Sequence, residues 1–264
     1  MHRTIPESLS PILEDLELDR PQLVSLADLR AMCERHRIGT DPRVVASRLK
    51  QKGWLIATPQ RGVWEFAPAE LAGSYSSADP LLALKAFNVA HPECRNALRG
   101  QSAAWALGLA DRAPSMISVA FEEQPKVKVP SELATATFSA QAPVRSAKGV
   151  SALGPASIVA QMAERPSSVR SWQSVVEWLP DVAFEIDGSE LLKELEGRPN
   201  SVAQRTGYLL QGMRPDLAAA VAGAHAAQAV AKMGTSEAPI RYDQNWMVSD
   251  ALLPFDPREL EALK

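Results

Sequence analysis

DPRVVASRLKQKGWLIATPQRGVWEF, residues 41–66, is the stretch that decides the fold. Asp41 suits the cap of a helix and Pro42 its first position, where a missing N–H costs nothing. Val45 and Leu49 fall four apart on one face, and Arg43, Ser47, Lys50 and Gln51 lie largely off it. Gly53 stands where a helix end favours a left-handed residue. Residues 54–58 and 63–66 are β-prone and are joined by Pro59-Gln60-Arg61-Gly62, a hairpin signal. A basic helix leading directly into a hairpin with an arginine at its tip is the pattern of a winged helix-turn-helix. Between Arg43 and Arg61 stand five basic residues (Arg43, Arg48, Lys50, Lys52 and Arg61) and no acidic one. That local charge says more about partners than the net −3 of the whole chain.

Upstream, Leu9, Ile12, Leu13 and Leu16 recur at helical spacing, which predicts a first helix over 7–16. Ser25, with Asp28 three residues on, reads as a capping box opening a second helix. Leu26, Leu29, Met32 and Cys33 would form its buried stripe, and Gly39 would end it. Downstream, residues 68–78 are rich in Ala, Gly and Ser and read as a linker. Asp79-Pro80 then opens a helix through Leu81, Leu82, Leu84 and Phe87. The expected division is a DNA-binding domain over 1–75 and a larger domain over 76–264.

The larger part mixes helices and strands. A helix over 101–107 is closed by Gly108, and segments 116–121, 126–129 and 135–138 read as short strands. Segments 156–163, 171–178 and 191–195 read as helices. Asn200 or Ser201 opens another, SVAQRTGYLLQG, and residues 216–233 are alanine-rich and helical by propensity. Residues 234–256 read as an irregular tail laid against the domain by Tyr242, Trp246 and Phe255. The fold class is therefore α+β, a winged helix-turn-helix followed by a larger mixed α/β domain.

A chain of 264 residues can bury a sizeable core. No apolar run approaches the ~20 residues that span a bilayer, and the N-terminus lacks the apolar core of a signal peptide. Two cysteines, Cys33 and Cys94, fit small thiols in a reducing compartment, so a cytoplasmic location is expected.

DNA recognition needs cations for phosphates and forked or amide side chains for base edges. Arg43, Ser47, Arg48, Lys50 and Gln51 supply both within about two helical turns, with Lys52 behind them and Arg61 at the hairpin tip. The alternative is a winged helix used for protein contacts. From Glu177 to Glu196 there are seven acidic residues against one lysine, a surface suited to a basic protein partner or simply to solvent. Within it Glu185, Asp187, Glu190 and Glu194 are candidate partner contacts. Arg205 could pair inward or project toward a partner, and nearby Gly207 favours the inward role. His91 and Cys94 form a single close pair, where zinc generally takes four donors. There is no GxGxxG, phosphate-binding glycine loop or HExxH, and GPAS at 154–157 lacks a nucleophile elbow. The residues point to binding rather than catalysis and call for no cofactor or metal.

Four patches resemble the AbiEi-type antitoxins of bacterial (type IV) toxin–antitoxin systems. They are GVWEFAP at 62–68, SAAWALGLADRAPSMISVAF at 102–121, SVAQRTGYLLQ at 201–211, and the tail carrying Asn245, Trp246, Val248 and Asp250. The chain departs from many members at Gly154-Pro155-Ala156-Ser157-Ile158, where they show a proline–glutamate–arginine run. The resemblance implies an antitoxin whose winged helix represses its own operon by binding promoter DNA. It implies that the C-terminal domain neutralises a cognate nucleotidyltransferase-like toxin. The competing expectation is a winged-helix transcriptional regulator with a ligand-sensing C-terminal domain.

Overall fold

The computed structural model describes residues 9–71, 77–235 and 238–260, so residues 72–76 of the expected linker lie outside it. The chain forms two compact units, Met1–Cys94 with Pro125–Leu133, and Arg95–Gln124 with Ala134–Lys264.

In the first unit, α1 (Ser10–Asp19), α2 (Leu26–Arg35) and α3 (Pro42–Gln51) pack with strands β1 (Leu23–Ser25), β2 (Leu55–Ala57) and β3 (Val63–Phe66). The sheet order β1-β3-β2 is antiparallel throughout, with Leu55 opposite Phe66 and Val24 opposite Trp64. β1 has no counterpart in the sequence reading, because three residues are too few to show a period. Leu9, Ile12, Leu13 and Leu16 meet Leu29, Cys33, Val45, Leu49, Trp54, Leu55 and Phe66 in one core. Each fully buried aliphatic side chain there contributes roughly 1.5–3 kcal/mol.

Both expected caps form. Ser25 and Asp28 make a reciprocal capping box on α2, and Asp41 accepts from the Arg43 N–H at the start of α3. Gly53 (φ +78°) and Gly62 (φ +82°) take the left-handed conformations that end α3 and close the hairpin. The turn after α2 differs from expectation. His36 closes the helix and Arg37 (φ +55°) reverses the chain before Gly39 is reached.

Helix α4 (Leu82–Ala90) lies beyond the expected boundary at 75/76, yet it packs on β1 and β3. Asp79 accepts from Lys85 Nζ (2.7 Å) and from Gln22 Nε2 (2.7 Å), and Gln60 at the wing lies 3.1 Å from His91 Nε2. These bonds tie the helix to the residue that precedes β1 and to the wing turn.

The second unit contains β4 (Asn96–Leu98), α5 (Gly100–Ala106), β5 (Ile117–Phe121), β6 (Leu133–Thr137), β7 (Arg145–Ala147) and β8 (Val150–Ala152). Its sheet order is β6-β5-β4-β8-β7, antiparallel at β4–β5 and β7–β8 and parallel at β4–β8. The expected strand over 126–129 does not form. Helices α6 (Pro155–Glu164), α7 (Trp172–Val175), α8 (Leu179–Phe184), α9 (Gly188–Leu195), α10 (Asn200–Leu210) and α11 (Pro215–Ala224) follow. Pro199, not Asn200 or Ser201, occupies the cap position of α10. Every residue of α6 from Pro155 to Ala163 is buried, as befits a helix enclosed on all sides by α5, α8, α9 and α10. The segment that departs from the antitoxin pattern therefore enters the core and is not a surface.

The alanine-rich expectation over 216–233 is corrected. The helix ends at Ala224, and Ala231–Met233 is a strand, β9. The tail is also more regular than expected, since β10 (Arg241–Asp243) and β11 (Val248–Asp250) complete a small sheet ordered β10-β11-β9. Of the three aromatics expected to lay the tail against the domain, Trp246 is buried and Phe255 half-buried, but Tyr242 is 50 % exposed. Trp246 packs on Gly207 of α10 so closely that a Cβ there would lie 2.0 Å from Cη2 of its indole.

Candidate nucleic-acid interface

α3 has its inner face set by Val45, Ala46 and Leu49, all buried against the core. That fixes its rotation and leaves Arg43, Ser47, Arg48, Lys50 and Gln51 exposed on the other side. Lys52 is exposed at the end of the helix and Arg61 at the wing tip. All seven residues expected at an interface thus reach solvent on one helix and its hairpin. Among the described residues, no carboxylate pairs with Arg43, Arg48, Lys50 or Arg61. Val44 joins this face, 42 % exposed, where an apolar side chain can meet a thymine methyl group. The sequence reading missed it because Val44 adjoins the core residue Val45, and only the fixed rotation of α3 separates the two.

The wing is held at both ends. Thr58 Oγ1 donates to the Val63 carbonyl (2.8 Å) and accepts from the Gln60 N–H (3.2 Å), which keeps Arg61 at the turn. Trp54 is buried and Trp64 packs on the same core, so both serve the scaffold and neither is a stacking platform for bases.

The candidate partner contacts of the second unit divide. Glu185 is exposed at the end of α8. Asp187 caps α9, accepting from the Ser189 and Glu190 N–H groups, and hydrogen bonds from the Ser189 hydroxyl and the Glu190 amide hold its carboxyl below the usual range. Glu190 is engaged by Arg145 Nη2 at 2.6 Å. Glu194 is corrected, because it is completely buried and cannot present a surface. Its Oε2 accepts from the Gln141 N–H (3.0 Å), the Ala142 N–H (2.8 Å) and Ser157 Oγ (2.6 Å), and its other oxygen pairs with Arg198. Arg205 turns inward, donating from Nη1 to the Ala163 carbonyl at 2.7 Å. That carbonyl lies in the last turn of α6, where a cation also complements the helix dipole.

Tyr208 of α10 donates to Asp250 Oδ2 at 2.9 Å, and Arg241 pairs with the same oxygen at 2.9 Å. Burial pushes the Tyr208 hydroxyl far above its ordinary pKa. Gln204 donates to the Ala229 and Trp246 carbonyls. The Gln-Arg-x-Gly-Tyr segment and the Trp-bearing tail, noticed separately in the sequence, are thus two sides of one packing interface.

Among the described residues no group of three or more His, Cys, Asp or Glu side chains could hold a metal ion. No described helix is long and apolar enough to cross a membrane.

Residues 96–212 match the AbiEi antitoxin C-terminal domain, so this segment of the chain carries an AbiEi-type antitoxin domain. The chain is also similar to the solved crystal structure of the RV2827C protein from Mycobacterium tuberculosis. The TM-score is 0.76 and the identity 26 %, over 96 % of this chain and 94 % of that one. No curated protein matches the chain.

Proposed function

We propose that this protein is an antitoxin that binds its own promoter DNA and neutralises a cognate nucleotidyltransferase-like toxin, with no catalysis of its own. The observation that carries the reading is the exposed α3–wing face, which holds five basic residues and no acidic one from Arg43 to Arg61, joined to an antitoxin-family domain. Residues 1–75 form the DNA-binding part, braced by α4, and the remainder of 76–264 engages the toxin. Arg43, Ser47 and Gln51 face base edges in the major groove, while Arg48, Lys50, Lys52 and Arg61 engage phosphates. Toxin contact falls to Glu185, with Asp187 and Glu190 as flanking charge. Opposite fields speed encounter and fix orientation when the partner offers a basic face.

Two activities on separate surfaces can be uncoupled in the intact chain. Arg43→Ala with Lys50→Ala should abolish promoter retention and still protect cells that co-express the cognate toxin. Loss of protection by a folded double variant would overturn the division of labour. Protection undiminished after Glu185→Lys, Asp187→Lys and Glu190→Lys together would overturn the acidic toxin surface.

A further inference from the structure

The second unit holds a cavity of about 460 Å³, and none of the residues assigned above to DNA or toxin lines it. Its depth is set by Arg99, Gln161 and Trp178, which are 7 %, 1 % and 3 % exposed. Each keeps a buried polar atom without a partner, namely Arg99 Nε, Gln161 Oε1 and Trp178 Nε1. Buried polar groups are nearly always bonded, so three such atoms around one cavity are bonding capacity reserved for something else. Arg99 reaches only the Ser168 hydroxyl, at 3.1 Å, and no carboxylate lines the cavity or pairs with Arg99 among the described residues. Arg170 adds a second cation at the exposed mouth, and Met116, Met162 and Val175 supply an apolar wall.

We propose that this cavity binds a phosphate-bearing small molecule of mononucleotide size. A buried guanidinium without a counter-ion is costly, and an anion with oxygens in a plane matches its fork. A sulfate-sized anion would leave most of the volume empty and two polar atoms unbonded. The Trp178 N–H donor and the Gln161 carbonyl acceptor suit a ligand with both kinds of edge, such as a nucleobase. The volume lies within the ordinary range of small-molecule sites, about 300–1,000 Å³.

The test is binding to the intact chain by calorimetry, using the four nucleoside 5′-monophosphates, the unphosphorylated nucleosides, inorganic phosphate and a 5′-phosphorylated tetranucleotide. At least one mononucleotide should bind, and its nucleoside and inorganic phosphate should each bind at least about tenfold more weakly, the worth of a charge-assisted bond. Arg99→Met should abolish binding while raising the melting temperature of the free protein, because an uncompensated buried charge is removed. Arg170→Gln, at the mouth, should weaken binding without changing the melting temperature. No binding of any mononucleotide would overturn the proposal. So would binding unaffected by both substitutions, inorganic phosphate binding as tightly, or the tetranucleotide binding more tightly than every mononucleotide.

Discussion

Glu194 shows how a single residue can be assigned by charge and reassigned by burial. In sequence it belongs to an acidic run, but one of its oxygens satisfies two backbone N–H groups and the Ser157 hydroxyl, and the other faces Arg198. Arg198 in turn pairs with Glu164 at 2.6 Å and donates to the Ser139 carbonyl. Removing one partner of a buried pair strands the other, at about 3–5 kcal/mol. Glu194→Gln should therefore destabilise the protein by roughly 3 kcal/mol in urea unfolding, since its amide must face either the donors or Arg198. A loss below about 1 kcal/mol, the size of an exposed pair, would show that the site is solvated. Gly207 is the second decisive residue. Gly207→Ala places a methyl within 2.0 Å of the Trp246 ring and should cost about 1–3 kcal/mol or more, with quenching or shift of Trp246 fluorescence as the indole is displaced.

Among the elements, α4 depends on a carboxylate. Burial alone would raise the Asp79 pKa, but hydrogen bonds from Lys85, Gln22 and the Leu81 N–H outweigh it and hold the carboxyl below its ordinary value. A lowered folded pKa stabilises the fold above the unfolded value of about 3.9, and that stabilisation is lost as pH falls through the folded value. Asp79→Asn should thus reduce stability at pH 7 and flatten its decline below pH ~4. An unchanged acid limb would contradict the role. On α3, Lys52→Ala should weaken specific and random DNA alike and reduce the salt slope by about one, whereas Gln51→Ala should relax preference at one base pair by ~1–3 kcal/mol. Equal losses on all sequences for both changes would refute the assignment. The elements that carry their own local signals were legible in advance. The capping box at Ser25, the cap at Asp41 and the glycines of the wing specify α2, α3 and the hairpin without help from distant residues. The strands β1, β9, β10 and β11 were not legible, since each is three residues long and forms only by pairing across the chain. Alanine-rich 225–233 failed as a helix because tertiary pairing with β11 overrode propensity. The exposed polar residues of α3 and the wing could be named from spacing alone. The cavity around Arg99 could not, because its lining gathers from segments near 99, 115, 161 and 170 that share no sequence pattern.

For the molecule as a whole, charge is separated along the chain. The stretch from Arg43 to Arg61 carries five positive charges in a protein of net −3, so the remainder is more acidic than the total implies. Such a molecule should approach DNA with one face only, and its affinity should come largely from counterions released at that face. An autoregulatory antitoxin must bind the DNA upstream of its own reading frame, and its affinity for that DNA across a salt series tests this. Binding should be tighter than to random duplex of equal length, its logarithm should fall linearly with the logarithm of salt concentration, and the slope should shrink as Arg48, Lys50, Lys52 and Arg61 are replaced in turn. Salt-insensitive binding, or equal affinity for the upstream DNA and the random duplex, would contradict autoregulation.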